Sequence, residues 1–181
     1  MKTQLTLPVS ERDHVQGLAT APITLVEYGD YECPNCGEAY PVVKELQEQL
    51  GERLRFVFRN FPLTKAHPHA QNAAEAAEAA AAQGRFWEMH DVLFENQEKL
   101  GDNNLIRYAN KLGLDATRFQ SELSGHVHEA RVREDFMSGV RSGVNGTPGF
   151  FINGVPYNGS YDFDVFLRAL QVRGRDPRLA E

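Results

Sequence analysis

The sequence contains very little cysteine: two residues, Cys33 and Cys36, in a chain of 181. Two cysteines are too few for a secreted domain that depends on several disulfides, and a chain of this length can bury a core without them. Both cysteines lie in one segment of four residues, Cys33-Pro34-Asn35-Cys36. Three explanations are open: half of a metal site, a structural disulfide, or a redox-active pair.

Long apolar runs are also lacking. No segment approaches the roughly 18 consecutive apolar residues of a membrane span, so we expect no stable membrane insertion. The N-terminal segment MKTQLTLPVSERDH lacks the apolar run of a signal peptide. We therefore expect a cytoplasmic protein, whereas a leader removed from the sequence would instead point to the periplasm or another extracytoplasmic location.

Clustered positive charge is absent as well. The formal net charge is −6, and no block of Lys or Arg interrupts a composition that is 41% hydrophobic and 24% charged. Phosphate backbones are bound by clustered cations, so we expect no nucleic-acid partner. The composition is that of an ordinary soluble globular protein.

The first half of the chain is typical of a strand, a helix and a second strand. Residues 23–31 are rich in β-branched and aromatic residues, and residues 36–50 have a helical apolar stripe that ends at Gly51. Residues 53–61 alternate apolar side chains with arginines and predict a strand. The connection is long enough for the two strands to run parallel, as in a βαβ unit. Residues 1–20 show little periodicity and predict an arm.

The second half predicts a block of helices followed by more strands. The Asn153-Gly154 pair predicts a hairpin between two short strands, and a last helix is expected over 162–172. A sheet interrupted by an inserted helical domain best explains this order. The predicted helices of the block cover 67–84, 85–100, 103–112, 115–123 and 126–142, with Asp115 as an N-cap.

The position of Cys33 favours redox chemistry. The thiolate is the nucleophile in disulfide exchange, and the N-terminal end of a helix stabilises a negative charge. Cys33 lies at the junction between strand and helix, and Pro34 fits the first helical position. We therefore expect Cys33 to be the exposed attacking thiol, and Cys36, one turn later, to be the resolving thiol.

Two further features are ambiguous from the residues alone. Glu27 lies in an apolar strand six residues before Cys33, and it either faces solvent or is a buried carboxyl that accepts a proton from Cys36. The Thr147-Pro148 pair precedes a predicted strand. It is either an ordinary loop or a tight turn with a cis peptide bond.

Together these features resemble the thioredoxin superfamily, in particular the DsbA-like thiol–disulfide oxidoreductases with a helical insertion. The resemblance runs from about residue 8 to 172, and it includes Glu27 and Pro41, which the family implies to kink the active-site helix. The motif CxxC alone is weak, but CxxC after a strand, followed about 110 residues later by Thr-Pro, is specific. The matching segments are YGDYECPNC, FRNFPL, HPHAQNAAEAAEAA, FWEMHDVLFENQ and GTPGFFING.

The resemblance implies an α/β thioredoxin-like fold with an inserted all-α domain. The predicted core covers residues 8–62 and 144–174, the helical insertion covers 63–143, and the termini 1–7 and 175–181 are expected to be flexible.

The resemblance also implies roles for individual residues. Cys33 is the nucleophile and Cys36 the resolving thiol, Glu27 is the buried acid beside Cys36, Pro148 is a cis-proline beside the disulfide, and Thr147 presents its backbone to the substrate. No metal, nucleotide or flavin cofactor is implied. The partners are protein substrates with thiols or disulfides, and a thiol system that recycles the pair.

The dipeptide between the cysteines differs from the Pro-His of the strongly oxidising members. Pro34 and Asn35 are expected to contact substrate, but Asn35 cannot supply a positive charge beside the thiolate. We therefore expect a Cys33 thiolate that is less stabilised than in those members, and a more reducing potential.

Two rival functions are weighed against disulfide exchange. A zinc site would need histidines as further ligands, but His67 and His69, like His126 and His128, are alternate residues that do not share a helix face. Surface histidines are therefore the simpler explanation. A structural disulfide over so short a loop gains little stability.

The second rival is a chaperone or binding module on the same fold, without redox turnover. Phe86, Trp87 and Phe94 would then line a groove for client proteins, although aromatic residues at helical spacing are more often part of a core. The two functions differ in whether they need the Cys33 thiol.

Overall fold

A five-stranded mixed sheet forms the centre of the protein. The computed structural model describes residues 4–174. The strand order is β1-β3-β2-β4-β5, and only the β2–β3 pair is parallel. The strands are β1 (His14–Gln16), β2 (Ile23–Gly29), β3 (Leu54–Asn60), β4 (Gly149–Ile152) and β5 (Val155–Tyr157).

The parallel pair confirms the predicted βαβ unit. Its register runs from Ile23 beside Leu54 to Gly29 beside Asn60, and helix α1 (Pro34–Leu50) connects the strands. Both strands end at the same edge of the sheet, and α1 begins there. Residues 30–33 therefore lie between the edge of the sheet and the N-terminal end of a helix.

Five helices lie between β3 and β4, as predicted, and a sixth follows the hairpin of β4 and β5. The predicted boundaries were too wide at His67 and at Leu100, because turns cover residues 64–69 and 96–98. No helix within residues 4–174 is long and apolar enough to cross a membrane. The helices are α2 (Ala70–Ala81), α3 (Phe86–Glu95), α4 (Asp102–Lys111), α5 (Ala116–Ser124), α6 (Glu129–Arg141) and α7 (Phe163–Arg173), and a 3-10 turn (Gly51–Arg53) follows α1.

Local sequence signals account for several of these boundaries. Asp115 caps α5, since its carboxylate accepts a hydrogen bond from the Arg118 N–H at 2.9 Å. Asn153 and Gly154 form the predicted tight turn between β4 and β5, and both have positive φ angles, of 48° and 78°. Asn and Gly are the residues that adopt this conformation at the lowest cost.

The sheet is covered on both faces. Leu25, Phe56 and Phe58 face the larger core, which also contains α1, α7 and much of the helical insertion. Val26 and Tyr28 face a smaller core on the opposite side, together with Val57, Phe61 and Phe151. The strand residues therefore alternate between two buried faces, and this explains why β2 and β3 are so apolar.

The aromatic residues of α3 belong to the larger core. Phe86 and Phe94 are 5% and 6% exposed, and Trp87 packs against the same cluster. Phe86 and Phe94 are therefore core residues and do not line a client groove, and Trp87 is partly buried against the same core. They attach the helical insertion to the sheet instead, because Phe58 and Tyr31 pack against Phe94.

The expected N-terminal arm contains a strand that the sequence pattern did not predict. Strand β1 has three residues and pairs with β3 in antiparallel register, His14 beside Phe58. Earlier in the arm, the Leu5 N–H donates to Gly154 O and the Thr6 N–H to Ser142 Oγ. Residues 1–3 and 175–181 lie outside the described residues, and the predicted domain limits, including the flexible termini, stay predictions.

A buried arginine anchors this N-terminal segment. The Arg59 guanidinium donates two hydrogen bonds to the Asp13 carboxylate, at 2.8 and 3.0 Å, and others to Leu7 O and the Tyr28 hydroxyl. Both side chains of the Arg59–Asp13 pair are fully buried. Because a buried charge is tolerated only with a partner, the segment before β2 must stay in place.

We expect the substitution Arg59→Met to destabilise the protein by about 3–5 kcal/mol, because it leaves the Asp13 carboxylate buried without its partner. The measurement is urea unfolding at neutral pH. Arg55→Met is the control, since Arg55 lies on the same strand but is partly exposed. Equal losses in the two variants would contradict the importance of the buried pair.

Candidate active site

The site is built around the start of α1. Cys33 is the N-cap residue of the helix, with an extended backbone (φ −71°, ψ 123°), and Pro34 begins the first turn. The Cys33 N–H donates to Asp30 O at 3.1 Å, and Cys33 O accepts from the Gly37 N–H at 3.1 Å. Pro34 and Asn35 are exposed beside the cysteine. The unpaired N–H groups of the first turn therefore point towards the Cys33 side chain.

Hydrogen bonds at Cys33 favour the thiolate. The pKa of Cys33 is lowered to about 5, first by the hydrogen bond from the Cys36 thiol, and then by the Thr147 side chain and by the backbone N–H groups of Cys36 and Asn35. Burial acts in the opposite direction and is outweighed. The Thr147 hydroxyl has no hydrogen-bond partner among the described residues, so it is available to donate to a thiolate at Cys33.

The expectation that Cys33 is exposed is wrong. Cys33 is only 5% exposed, and Cys36 is completely buried. The reason is the loop before β4, which packs against Cys33 and brings Thr147 O to 3.5 Å from its sulfur. Little of the Cys33 residue is therefore accessible to a substrate sulfur in this structure.

Cys36 has the opposite electrostatic environment. Its pKa is raised well above that of a free thiol, mainly by burial and then by the hydrogen bond to Cys33 and the nearby Glu27 carboxyl. The Asp30 N–H lies 3.5 Å from the Cys36 sulfur and donates to it. The two thiols differ strongly in acidity, so a thiolate forms on Cys33 and a neutral thiol remains on Cys36.

Glu27 is buried, which excludes the alternative that it faces solvent. Glu27 is 2% exposed and lies in the sheet between Phe58 of β3 and Phe150 of β4. Its Oε1 atom has no hydrogen-bond partner in the part of the chain that the structure describes. Burial, and secondarily the charge of Cys33, raise the pKa of Glu27 to about 8. Most of this carboxyl is therefore protonated at neutral pH.

The segment before β4 completes the site. The Thr147–Pro148 peptide bond is cis. A cleft of about 430 Å³ opens beside Pro148, between residues 142–146 and residues 156–161. The structure therefore places Thr147, with its neighbour Pro148, next to the Cys33–Cys36 turn that contains Pro34 and Asn35. Glu27 lies near Cys36.

Two carboxylates just before Cys33 were not identified from the sequence. Asp30 is buried and accepts hydrogen bonds from His67 Nδ1 at 2.7 Å and from the Leu63 N–H at 2.8 Å. Glu32 accepts from His69 Nδ1 at 2.8 Å. Burial lowers the pKa of His67, but the hydrogen bond to Asp30 outweighs it and the net shift is upward. The sequence signal that could have identified them is the pair of acids just before Cys33 in the segment YGDYEC.

The expectation of surface histidines holds for the exposed His69 and His126 but is wrong for His90. His90 is buried, and its pKa is lowered because burial disfavours the charged ring. His14, His126 and His128 each contact a glutamate. Within residues 4–174, no group of three or more His, Cys, Asp or Glu side chains is arranged to hold a metal ion.

The family model for thioredoxin matches residues 9–172. The chain belongs to the thioredoxin superfamily. Solved structures share its complete fold, and the DsbA-like resemblance is confirmed at this level. BdbD from Bacillus subtilis has a TM-score of 0.84 at 22% identity, covering 97% of this chain and 98% of that one. For α-DsbA1 of Wolbachia pipientis the TM-score is 0.78 at 21% identity, covering 94% of each chain.

Two further comparisons extend this placement. A thioredoxin-like oxidoreductase from Silicibacter pomeroyi has a TM-score of 0.81 at 26% identity, covering 92% of this thioredoxin-superfamily chain and 95% of that one. A curated protein of Salinispora arenicola named Na⁺/H⁺ antiporter is 46% identical over 182 residues, which is 96% of this chain and 28% of that protein. The chain thus spans less than a third of that relative.

We expect alkylation of Cys33 by iodoacetamide to follow a titration with a midpoint near pH 5, because the thiolate is the reactive form. This value lies between the pKa of about 7 in thioredoxin and about 3.5 in DsbA, in the direction that Asn35 leads us to expect. Mass spectrometry of the modified cysteine measures it. A midpoint near the free-thiol value of about 8.5 would contradict the geometry, and Cys33→Ser gives the background from Cys36.

The raised pKa of Glu27 predicts a pH-dependent gain in stability for Glu27→Gln. Between the unfolded pKa of about 4.3 and the folded pKa of about 8, the folded wild type holds a proton that the unfolded chain has lost. The contribution of Glu27 to the free energy of unfolding therefore falls as pH rises through this window, by about 1.4 kcal/mol per pH unit, and the glutamine variant lacks this fall. The lowered pKa of Cys33 contributes in the opposite direction, but it does so in both proteins, so the difference between them reports on Glu27.

Urea unfolding of the reduced protein at several pH values measures this difference. Glu48→Gln, which removes an exposed carboxylate from α1, is the control. A difference between Glu27→Gln and wild type that stays flat from pH 5 to pH 8 would show that Glu27 is not the buried acid described here.

Proposed function

We propose that the protein is a protein thiol–disulfide oxidoreductase in which Cys33 is the nucleophile and Cys36 the resolving thiol. The observation that carries the proposal is the opposite acidity of the two thiols, with hydrogen bonds converging on Cys33 while Cys36 is buried beside Glu27. Membership of the thioredoxin superfamily and the oxidoreductases among the structures that share its fold add support.

In the reductive direction, the Cys33 thiolate attacks one sulfur of a substrate disulfide. The substrate S–S bond breaks, a mixed disulfide forms with Cys33, and the other substrate sulfur leaves as a thiolate. Cys36 then loses its proton and attacks the Cys33 sulfur, which releases the second substrate thiolate and forms the Cys33–Cys36 disulfide. The substrate gains two electrons, and a recycling thiol system restores the pair. The oxidative direction reverses each step.

Glu27 is proposed to accept the proton of Cys36 in the second step. At neutral pH most of this carboxyl is protonated, partly because the Cys33 thiolate is nearby. When Cys33 enters the mixed disulfide, its negative charge disappears, and this contribution to the pKa of Glu27 disappears with it. The carboxylate therefore becomes more populated at the stage when Cys36 must be deprotonated.

Thr147 and Pro148 are proposed to hold the substrate chain. Thr147 O lies 3.5 Å from the Cys33 sulfur, Pro148 lines the cleft, and Pro34 and Asn35 are exposed directly after Cys33. An extended peptide in this position gains main-chain hydrogen bonds that do not depend on its sequence. The proposal therefore includes broad selectivity for protein thiols and disulfides.

The proposal includes a direction of exchange and a compartment. The reduction potential of the Cys33–Cys36 pair is the measurement that tests both. A cytoplasmic location, as expected from the sequence, goes with a reductase, because that compartment keeps thiols reduced. A potential near −270 mV, about that of thioredoxin, would support this assignment, whereas one near −120 mV, about that of DsbA, would favour oxidation outside the cytoplasm.

Substitution of each cysteine tests the proposed roles. With insulin as the disulfide substrate, we expect Cys33→Ser to abolish reduction, and Cys36→Ser to accumulate a covalent adduct through Cys33 because nothing resolves the mixed disulfide. Non-reducing electrophoresis detects the adduct. A chaperone or binding module would instead keep its activity in Cys33→Ser, measured as suppression of aggregation of an unfolded protein, and this result would favour the alternative.

A further inference from the structure

Gln97, in the turn after α3, contacts the backbone of the active-site segment. Its side-chain Nε2 donates one hydrogen bond to Tyr31 O and one to Cys33 O, each at 2.9 Å. Both protons of the amide are therefore used on the two carbonyl groups that flank Glu32. The interaction joins the helical insertion directly to the residue proposed to carry out the chemistry.

The Gln97 amide occupies space that is open because Gly37 has no side chain. A Cβ atom on Gly37 would lie 1.9 Å from Gln97 Oε1 and 2.6 Å from Gln97 Cδ, far inside van der Waals contact. The Gly37 N–H also donates to Cys33 O, at 3.1 Å. Cys33 O therefore accepts from both Gly37 and Gln97, and the position of the amide depends on the absence of a side chain at Gly37.

We propose that Gln97 is a positioning residue that holds the backbone of residues 31–33 in the geometry that Cys33 needs for disulfide exchange. This inference rests on the proposed function of Cys33. Fixing Tyr31 O and Cys33 O fixes the Tyr31–Glu32 and Cys33–Pro34 peptide groups, which enclose Glu32 and Cys33, and with them the direction of the Cys33 side chain. The sulfur then stays within reach of the N–H groups of Asn35 and Cys36.

A purely structural role predicts a different result. If Gln97 only attached the insertion to the sheet, its loss would lower stability and leave the ionisation of Cys33 unchanged. The large apolar contacts of Phe86 and Phe94 already attach the insertion. The ionisation of Cys33 is therefore the measurement that distinguishes positioning from attachment.

The test is the pH midpoint of Cys33 alkylation in Gln97→Met, which keeps the length of the side chain and removes both donors. We expect the midpoint to rise by about one pH unit, which is a tenfold fall in thiolate, and hence in rate, well below the midpoint. The control is Gln83→Met, since Gln83 also bonds distant backbone, at Asp115 N and O, but lies outside the site. It should leave the midpoint unchanged.

Gly37→Ala provides an independent variant, because its methyl group would displace the Gln97 amide while leaving Gln97 itself unchanged. We expect the same upward shift, and no further shift when Gly37→Ala is combined with Gln97→Met, since both remove one interaction. Gly37→Ala also keeps the proposal testable if Gln97→Met does not fold. A midpoint in either folded variant that equals that of wild type would overturn the proposal.

Alkylation needs no protein substrate, so this test is separate from the test of the proposed function. If Gln97→Met shifts the midpoint but the wild type does not reduce insulin, Gln97 positions the Cys33 thiol and the exchange function fails. If the wild type reduces insulin and the midpoint does not move, the exchange function stands and the role of Gln97 fails.

Discussion

Three ionisable groups are packed together near the start of α1, and the site stabilises a negative charge on only one of them. Cys33, Cys36 and Glu27 are each at most 5% exposed, and repulsion in such a dry site strongly disfavours two charges. Hydrogen-bond donors converge on Cys33, so its pKa falls, while the pKa values of the other two rise. The parallel strands, the helix N-terminus and the loop before β4 position the groups that produce this difference in pKa.

The elements that place Cys33 at the start of a helix could be predicted, because the sequence signals for them are local. The strand of residues 23–29, the proline after Cys33 and the apolar stripe of α1 lie within 30 residues of one another, and each follows from periodicity or helix capping. The position of Glu27 could not be settled in this way. Alternation along a strand separates two faces, but it does not tell which face is covered, and here both are buried.

Contacts between distant residues account for what the sequence did not predict. Strand β1 has only three residues, too few for a periodic signal, and it depends on the pairing of Arg59 with Asp13. The burial of Cys33 depends on a loop more than 100 residues later in the chain. The carboxylates before Cys33 accept hydrogen bonds from histidines that follow β3. Gln97 was not predicted as a site residue, because the role proposed for it depends on the absence of a side chain at Gly37, 60 positions earlier in the chain.

The separation of Cys33 from Thr147 has a consequence for biosynthesis. The two residues meet in the folded protein but lie 114 positions apart in the chain. At a translation rate of about 5–20 residues per second, Cys33 leaves the ribosome roughly 6–23 seconds before Thr147. The nascent chain therefore carries a thiol without the loop that covers it, and the length of the helical insertion sets how long that interval lasts.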